Sequence, residues 1–148
     1  MRKFLGILLV MLGVAGPGWA ALGEQESSVT ADLQFLKGQI RDETHPGYRL
    51  HQITDASGGV VREYVSTGGK VFGVSWQGPF VPNMQQLLGA YYVYLQQYAQ
   101  SQTSHHGGPL IIQRYDFVFS SAGHMGARRG RAYVPGLLPA SLTPEVVQ

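Results

Sequence analysis

The alternation of hydrophobic and polar residues predicts an antiparallel meander in the middle of the chain. Three runs with a period of two residues, Tyr48–Thr54, Val60–Ser66 and Val71–Gln77, are separated by turns that contain paired glycines. In the third run, strict alternation places Phe72 and Trp76 on one face with Val74 between them, and leaves Val71 and Ser75 for the other. This pattern is typical of a sheet with one face against a core.

A helical period predicts two helices, a short one over Val29–Lys37 and a long one that begins after Asn83 and ends near Gln100. Asn83 with Gln86 three residues later resembles a capping box. The side chains that recur at helical spacing on the long helix form its predicted core face: Met84, Leu87, Leu88, Tyr91, Leu95 and Tyr98.

A second hairpin is predicted from Leu110–Ser120 and His124–Val134, with a turn at residues 121–123, and the Pro-rich end, 135–148, is expected to lie over the surface or extend freely. The order of strands and helices predicts an α+β fold: an antiparallel sheet of about five strands with helices on one face. We expect one domain over residues 21–134, followed by this tail.

The first twenty residues have the pattern of a cleavable leader. Arg2 and Lys3 precede an apolar run, Phe4–Ala15, that is too short to span a membrane, and Gly18 and Ala20 supply the small residues of a cleavage site. We expect cleavage after Ala20 and a periplasmic or secreted product without a transmembrane segment.

Removal of the leader lowers the net charge of the chain. It lowers the count of Lys and Arg from 11 to 9, which equals the 9 Asp and Glu. A neutral mature chain gives no support for bulk attraction to nucleic acid. The absence of cysteine excludes a disulfide framework. No Gly-rich phosphate loop occurs, so no nucleotide cofactor is expected.

Several segments resemble a family of exported bacterial proteins known only as domain of unknown function 2844. They are Val61–Ser66, Gly69–Phe72, Trp76–Pro79, Gln86–Gly89, Gly123–Met125 and Gly130–Pro135. The resemblance covers most of the mature chain and implies export, but it brings no activity, cofactor or catalytic residue. Function therefore has to be argued from individual side chains.

A cluster of arginines on the last predicted strand is the first candidate site. Alternation sends Arg129 and Arg131 to one face and Arg128 to the other, near His124. Guanidinium groups bind phosphate or carboxylate in a bidentate manner. The alternative is cross-strand pairing of these arginines with strand carboxylates such as Asp116 or Glu63.

Histidines suggest two further candidates. His105 and His106 could bind a metal ion, but a site needs three or four converging ligands, and the chain offers few others. His124 with Asp116 across the predicted hairpin would suit a small hydrolase, yet no positioned nucleophile accompanies them. We therefore expect neither a bound metal ion nor a cofactor. A protein without enzymatic activity fits these residues better than an enzyme does.

Tyr92 and Tyr94 fall outside the core stripe of the long helix. They could form a docking or sugar-stacking patch, or they could be covered by a terminal segment. The interpretation that follows from all these patterns is a non-enzymatic binding or accessory module of the cell envelope. Its expected partner is an envelope protein or an anionic envelope component.

Overall fold

The computed structural model describes residues 22–102 and 108–148. Over this part of the chain, seven strands form one antiparallel sheet in the order β1-β2-β3-β4-β7-β6-β5. The bounds are β1 Gln39–His45, β2 Tyr48–Thr54, β3 Val60–Ser66, β4 Val71–Gly78, β5 Leu110–Gln113, β6 Val118–His124 and β7 Ala127–Tyr133. The predicted α+β class and antiparallel sheet are confirmed, and the predicted meander is β2–β4. The predicted count of about five strands is wrong.

One of the additional strands is β1, at the edge of the sheet. It pairs with β2 along its whole length, from Gln39 opposite Thr54 to His45 opposite Tyr48. Most of its side chains are polar, and even Ile40 is 40% exposed. An edge strand of this kind is held by backbone hydrogen bonds rather than by an apolar face, so hydrophobic alternation does not reveal it.

The other additional strand arises because the predicted segment Leu110–Ser120 is divided. β5 ends at Gln113, and the backbone N–H of Arg114 donates to the carbonyl of Phe117, closing a turn before β6 begins. The hairpin turn between β6 and β7 lies at Met125 and Gly126, not at residues 121–123 as predicted. Gly126 has φ +84°, a conformation that favours glycine.

The helices are α1 Val29–Leu36, α2 Met84–Leu88 and α3 Tyr92–Ser101. The prediction of one continuous helix after Asn83 is wrong, because Gly89 adopts φ 52° and ψ −124° and a 3₁₀ turn separates α2 from α3. The predicted N-cap is confirmed, since the Asn83 side chain accepts a hydrogen bond from the backbone N–H of Gln86 at 3.0 Å.

Both faces of the sheet are covered, by different parts of the chain. The three α-helices pack on what we call the first face, where Trp76, Phe117 and Phe119 are buried in the main core. The C-terminal segment, residues 135–148, packs on the second face. There Val147 is fully buried with Phe72 and Tyr64.

A β-bulge in β4 decides which side chains reach each face. Tyr64 of β3 lies opposite Gly73, whereas the next residue, Val65, lies opposite Val71, so Phe72 has no partner of its own. The strict alternation predicted for this strand is therefore wrong at its start. Val71 joins the first-face core and Phe72 the second-face core, because the extra residue reverses the alternation at that point.

Candidate functional site

The C-terminal segment covers only part of the second face. At its covered end, a Cβ on Gly73 would lie 2.6 Å from a methyl carbon of Val147, so the absence of a side chain there makes room for this valine. The carbonyl oxygen of Gln148 accepts hydrogen bonds from Tyr64 Oη at 2.6 Å and from Ser75 Oγ at 2.9 Å. The segment is thus fastened to the central strands.

Beside this segment, the second face forms an open groove of about 800 Å³. Three arginines line it: Arg62 from β3, and Arg129 and Arg131 from β7. The strand register explains their grouping, since Ser75 of β4 lies opposite both Arg62 and Arg131. Two strand spacings place the backbones of these two arginines about 10 Å apart. We call this site the arginine groove.

Two of the guanidinium groups in the arginine groove donate hydrogen bonds to neutral acceptors. Arg62 Nε donates to the side-chain oxygen of Gln52 at 3.1 Å, and an Nη of Arg131 donates to the carbonyl of Val147 at 3.1 Å. Within residues 22–102 and 108–148, none of the three arginines forms a salt bridge. Their positive charges are therefore available to a ligand.

None of the carboxylates that could neutralise these arginines forms a salt bridge with them among the described residues. Glu145 lies nearest to doing so, since its pKa is lowered by the hydrogen bond with Thr143 and, to a smaller extent, by the charge of Arg131. Asp116 pairs with Arg114 at 3.2 Å, and Glu63 is buried on the first face. Glu43 lines the groove on β1, but its two oxygens are taken by Arg41 at 3.1 Å and His45 at 3.3 Å. The cross-strand pairing considered from the sequence does not occur.

The predicted arginine cluster is divided between two places. Arg129 and Arg131 line the groove, whereas Arg128 does not; it lines a second concavity at the end of the sheet together with His124, and Arg129 borders both. Arg62 belongs to the site and was missed by sequence reasoning. It stands alone in β3, and only the pairing of β3, β4 and β7 brings it to the other two arginines.

Tyr94 is a packed residue in this fold. Its ring lies 5.4 Å from that of Phe117, its hydroxyl donates to Asp116, and the Arg114 guanidinium lies 4.2 Å from the ring centroid. The hydrogen bond to Asp116 raises the pKa of Tyr94 and lowers the pKa of Asp116. Tyr92 is half-buried against the same core. Both tyrosines are thus partly buried against the main core, and the docking patch stays a prediction.

The pair proposed for catalysis is not assembled. Asp116 precedes β6, and His124 is the last residue of that strand, so they are separated by its seven residues, about 20 Å. His105 and His106 lie outside the described residues. In the part of the chain that the structure describes, no three His, Cys, Asp or Glu side chains are placed to hold a metal ion.

A buried pair of carboxyls on the first face was also missed. Asp32 of α1 is 2% exposed and Glu63 of β3 is 1% exposed, and the side-chain amide of Gln86 donates to Asp32 at 2.7 Å. The other oxygen of Asp32 and both oxygens of Glu63 are buried without a hydrogen-bond partner among the described residues, although the two carboxyls lie close enough to interact electrostatically.

Burial raises the pKa of Asp32 to about 6. It raises the pKa of Glu63 well above its ordinary value, and the charge of Asp32 adds to this effect. The cavity beside Asp32 measures only about 10 Å³. That is room for about one water molecule and no substrate, so the pair belongs to the packing of α1 and α2 on the sheet.

Comparison with known proteins adds a family but no activity. The family model described as protein of unknown function (DUF2844) matches residues 18–147. No curated protein matches the chain, and no solved structure does.

Proposed function

The chain belongs to the DUF2844 family, whose description names no activity, and we propose that it acts as a non-enzymatic binding module whose arginine groove holds an anionic group. The ligand class is a phosphate or carboxylate carried by a component of the cell envelope. The observation that supports this proposal is the grouping of Arg62, Arg129 and Arg131 on one open concave surface without a carboxylate partner among the described residues.

The chemistry of the groove suits such a ligand. A guanidinium offers parallel N–H donors that match the oxygens of phosphate or carboxylate, and it stays charged at any physiological pH. Gln77 of β4, which lies between the arginine-bearing strands, also lines the groove and adds a neutral polar group. A groove of about 800 Å³ is within the size range of small-ligand sites.

Binding can be measured by calorimetry with pyrophosphate and, separately, with polygalacturonate, using the chain from Ala21 to Gln148. This chain contains every residue of both described cores. We expect Arg129→Ala to weaken binding about tenfold or more, because a charge-assisted hydrogen bond contributes about 1.5–3 kcal/mol. Arg129→Lys should give an intermediate loss, since it keeps the charge but not the planar pair of donors.

Arg128→Ala is the matched control. It removes the same charge from the neighbouring position of the same strand, but from the side that does not line the groove. Equal losses from Arg128→Ala and Arg129→Ala would mean that the anion does not bind in the arginine groove. Absence of binding to both probes would refute an anion site in the groove.

The cellular location is part of the same proposal. It rests on the sequence of residues 1–20, with basic residues before a short apolar run and small residues at the end. When the full chain is expressed in a bacterial host, we expect the exported fraction to contain a protein that begins at Ala21. Intact-mass measurement tests this, and a product that retains Met1 in the cytoplasm would contradict it.

A further inference from the structure

Two loops at one end of the sheet carry exposed apolar side chains. Phe80 and Val81 follow the end of β4 and are 72% and 46% exposed, and Met125 at the β6–β7 turn is 91% exposed. With Pro79, these residues border a single concavity of about 420 Å³. We call this group, Pro79, Phe80, Val81 and Met125, the apolar tip.

The backbone explains why the apolar tip lies beyond the core. Gly78 and Arg128 form the last register pair between β4 and β7 at this end, and the chain leaves the sheet immediately afterwards. A Cβ on Gly78 would lie 2.7 Å from the Gly59 backbone, so the neighbouring β2–β3 turn packs tightly there. Side chains beyond that point have no layer to cover them.

The surroundings of the apolar tip are basic. Arg128 lines the same concavity, and His124 and Arg129 line the adjoining one of about 580 Å³. Among the described residues, no carboxylate lines either concavity. Asp55 lies on the adjacent β2–β3 turn, but its carboxylate accepts hydrogen bonds from backbone N–H groups of that turn, at 2.7 and 2.9 Å.

From this arrangement we propose that the apolar tip binds an anionic membrane surface. Phe80 and Met125 enter the boundary between head groups and acyl chains, and Arg128 binds a lipid phosphate. Peripheral membrane binding depends on burial of apolar side chains and on attraction between cations and anionic lipids. The apolar tip and the arginine beside it offer both. This proposal goes beyond the arginine groove and does not depend on it.

The size of the tip favours a membrane over a protein partner. A stable protein interface takes about 800 Å² and some 20–30 residues from each side, whereas the apolar tip has four residues on two short loops. Insertion into a membrane requires no matching surface, only apolar side chains that reach the acyl boundary. Within the described residues no helix is long and apolar enough to span a membrane, so the proposed contact is peripheral.

Sedimentation with vesicles tests the proposal, using the chain from Ala21 to Gln148 with phosphatidylglycerol vesicles and, separately, phosphatidylcholine vesicles. We expect the wild type to bind phosphatidylglycerol and to bind phosphatidylcholine more weakly. The double variant Phe80→Ser/Met125→Ser should lose at least about tenfold in binding to phosphatidylglycerol, since each change removes a large apolar contact. Arg128→Ala should lose about fivefold there.

Two variants serve as controls. Tyr115→Ser alters a side chain that is 89% exposed at the opposite end of the sheet, and Arg41→Ala removes a positive charge whose side chain is 75% exposed on the edge strand β1. Both should bind vesicles like the wild type, and all variants should keep the wild-type unfolding temperature within a few degrees because the changed side chains lie outside the core.

The proposal is overturned if wild type fails to bind phosphatidylglycerol vesicles, or if the double variant binds them as well as wild type. Equal losses from Tyr115→Ser and the double variant would also overturn it, since binding would then not be localised. Loss of pyrophosphate binding in Arg62→Ala with intact vesicle binding separates the arginine groove from the tip.

Discussion

On the first face of the sheet two carboxyls lie out of reach of water, whereas on the second face three guanidiniums border an open groove. Asp32 and Glu63 are at most 2% exposed and lie under α1 and α2. The arginines occupy a region where the covering segment leaves a groove of about 800 Å³. Carboxyls can be buried because a proton neutralises them, but arginine stays charged and has to remain near water or an anion.

In a small fold of this kind, access to a ligand separates ionisable groups that serve packing from those that can serve recognition. A buried ionisable pair without access for a ligand serves the packing, even though its pKa values are strongly raised. Accessible charges of one sign, gathered by strand pairing and left without salt bridges, are available for recognition.

We expect the core on the first face to contribute more to the free energy of unfolding than the C-terminal segment on the second face. Phe117 is fully buried and its ring contacts those of Tyr91, Tyr94 and Phe119. We expect Phe117→Ala to lower the free energy of unfolding by about 3–5 kcal/mol. Val147→Ala on the second face should cost about 2 kcal/mol, because it removes two buried carbons. Chemical denaturation of both variants measures the difference, and equal costs would contradict it.

The buried carboxyl pair should make stability depend on pH. The pKa of Asp32 rises from 3.8 to about 6 on folding, so between these values the folded chain binds more protons than the unfolded chain. The stabilising contribution is therefore complete below about pH 4 and is lost as the pH rises through about 6. The loss that Asp32 alone causes is at most about 3 kcal/mol, and the raised pKa of Glu63 acts in the same direction.

Asp32→Asn is the variant that isolates this effect. It keeps the oxygen that accepts from Gln86 but cannot ionise. In denaturant titrations, the free energy of unfolding of the variant should fall less between pH 4 and pH 7 than that of the wild type. The stability of the variant relative to wild type should therefore be greatest near pH 7. The same pH dependence in both proteins would mean that other groups cause it.

The arginines of the groove should matter least for stability. Arg129 has no hydrogen-bonding partner among the described residues, so we expect Arg129→Ala to change the free energy of unfolding by less than about 0.5 kcal/mol. Equilibrium denaturation measures this value. A cost above about 1 kcal/mol would indicate a structural role for Arg129 and weaken its assignment to binding.

The strands β2 and β3 and the helix α1 could be predicted closely, because each has a clear hydrophobic period and a turn signal beside it. Polar edge strand β1 gave no such signal. The division at Gly89 was not predicted either, since the core-facing residues on both sides of that glycine keep nearly continuous helical spacing and only the backbone angle breaks it.

For the candidate site, local alternation correctly grouped Arg129 with Arg131 and separated Arg128 from them. It could not find Arg62, because that residue enters the groove through strand pairing across more than sixty positions of sequence. The buried contact of Asp32 with Glu63 was missed for the same reason. Nothing near either residue in the sequence distinguishes it from a surface carboxylate.

By itself, the sequence determined the class of the fold, the meander and the pairing of apolar runs with turns, because these depend on residues close together in the chain. Only the tertiary structure decided which charges are buried, which arginines meet and which apolar side chains remain uncovered. These outcomes depend on strand order, on one bulge in β4 and on the position of the C-terminal segment. Each is set by contacts between residues far apart in sequence.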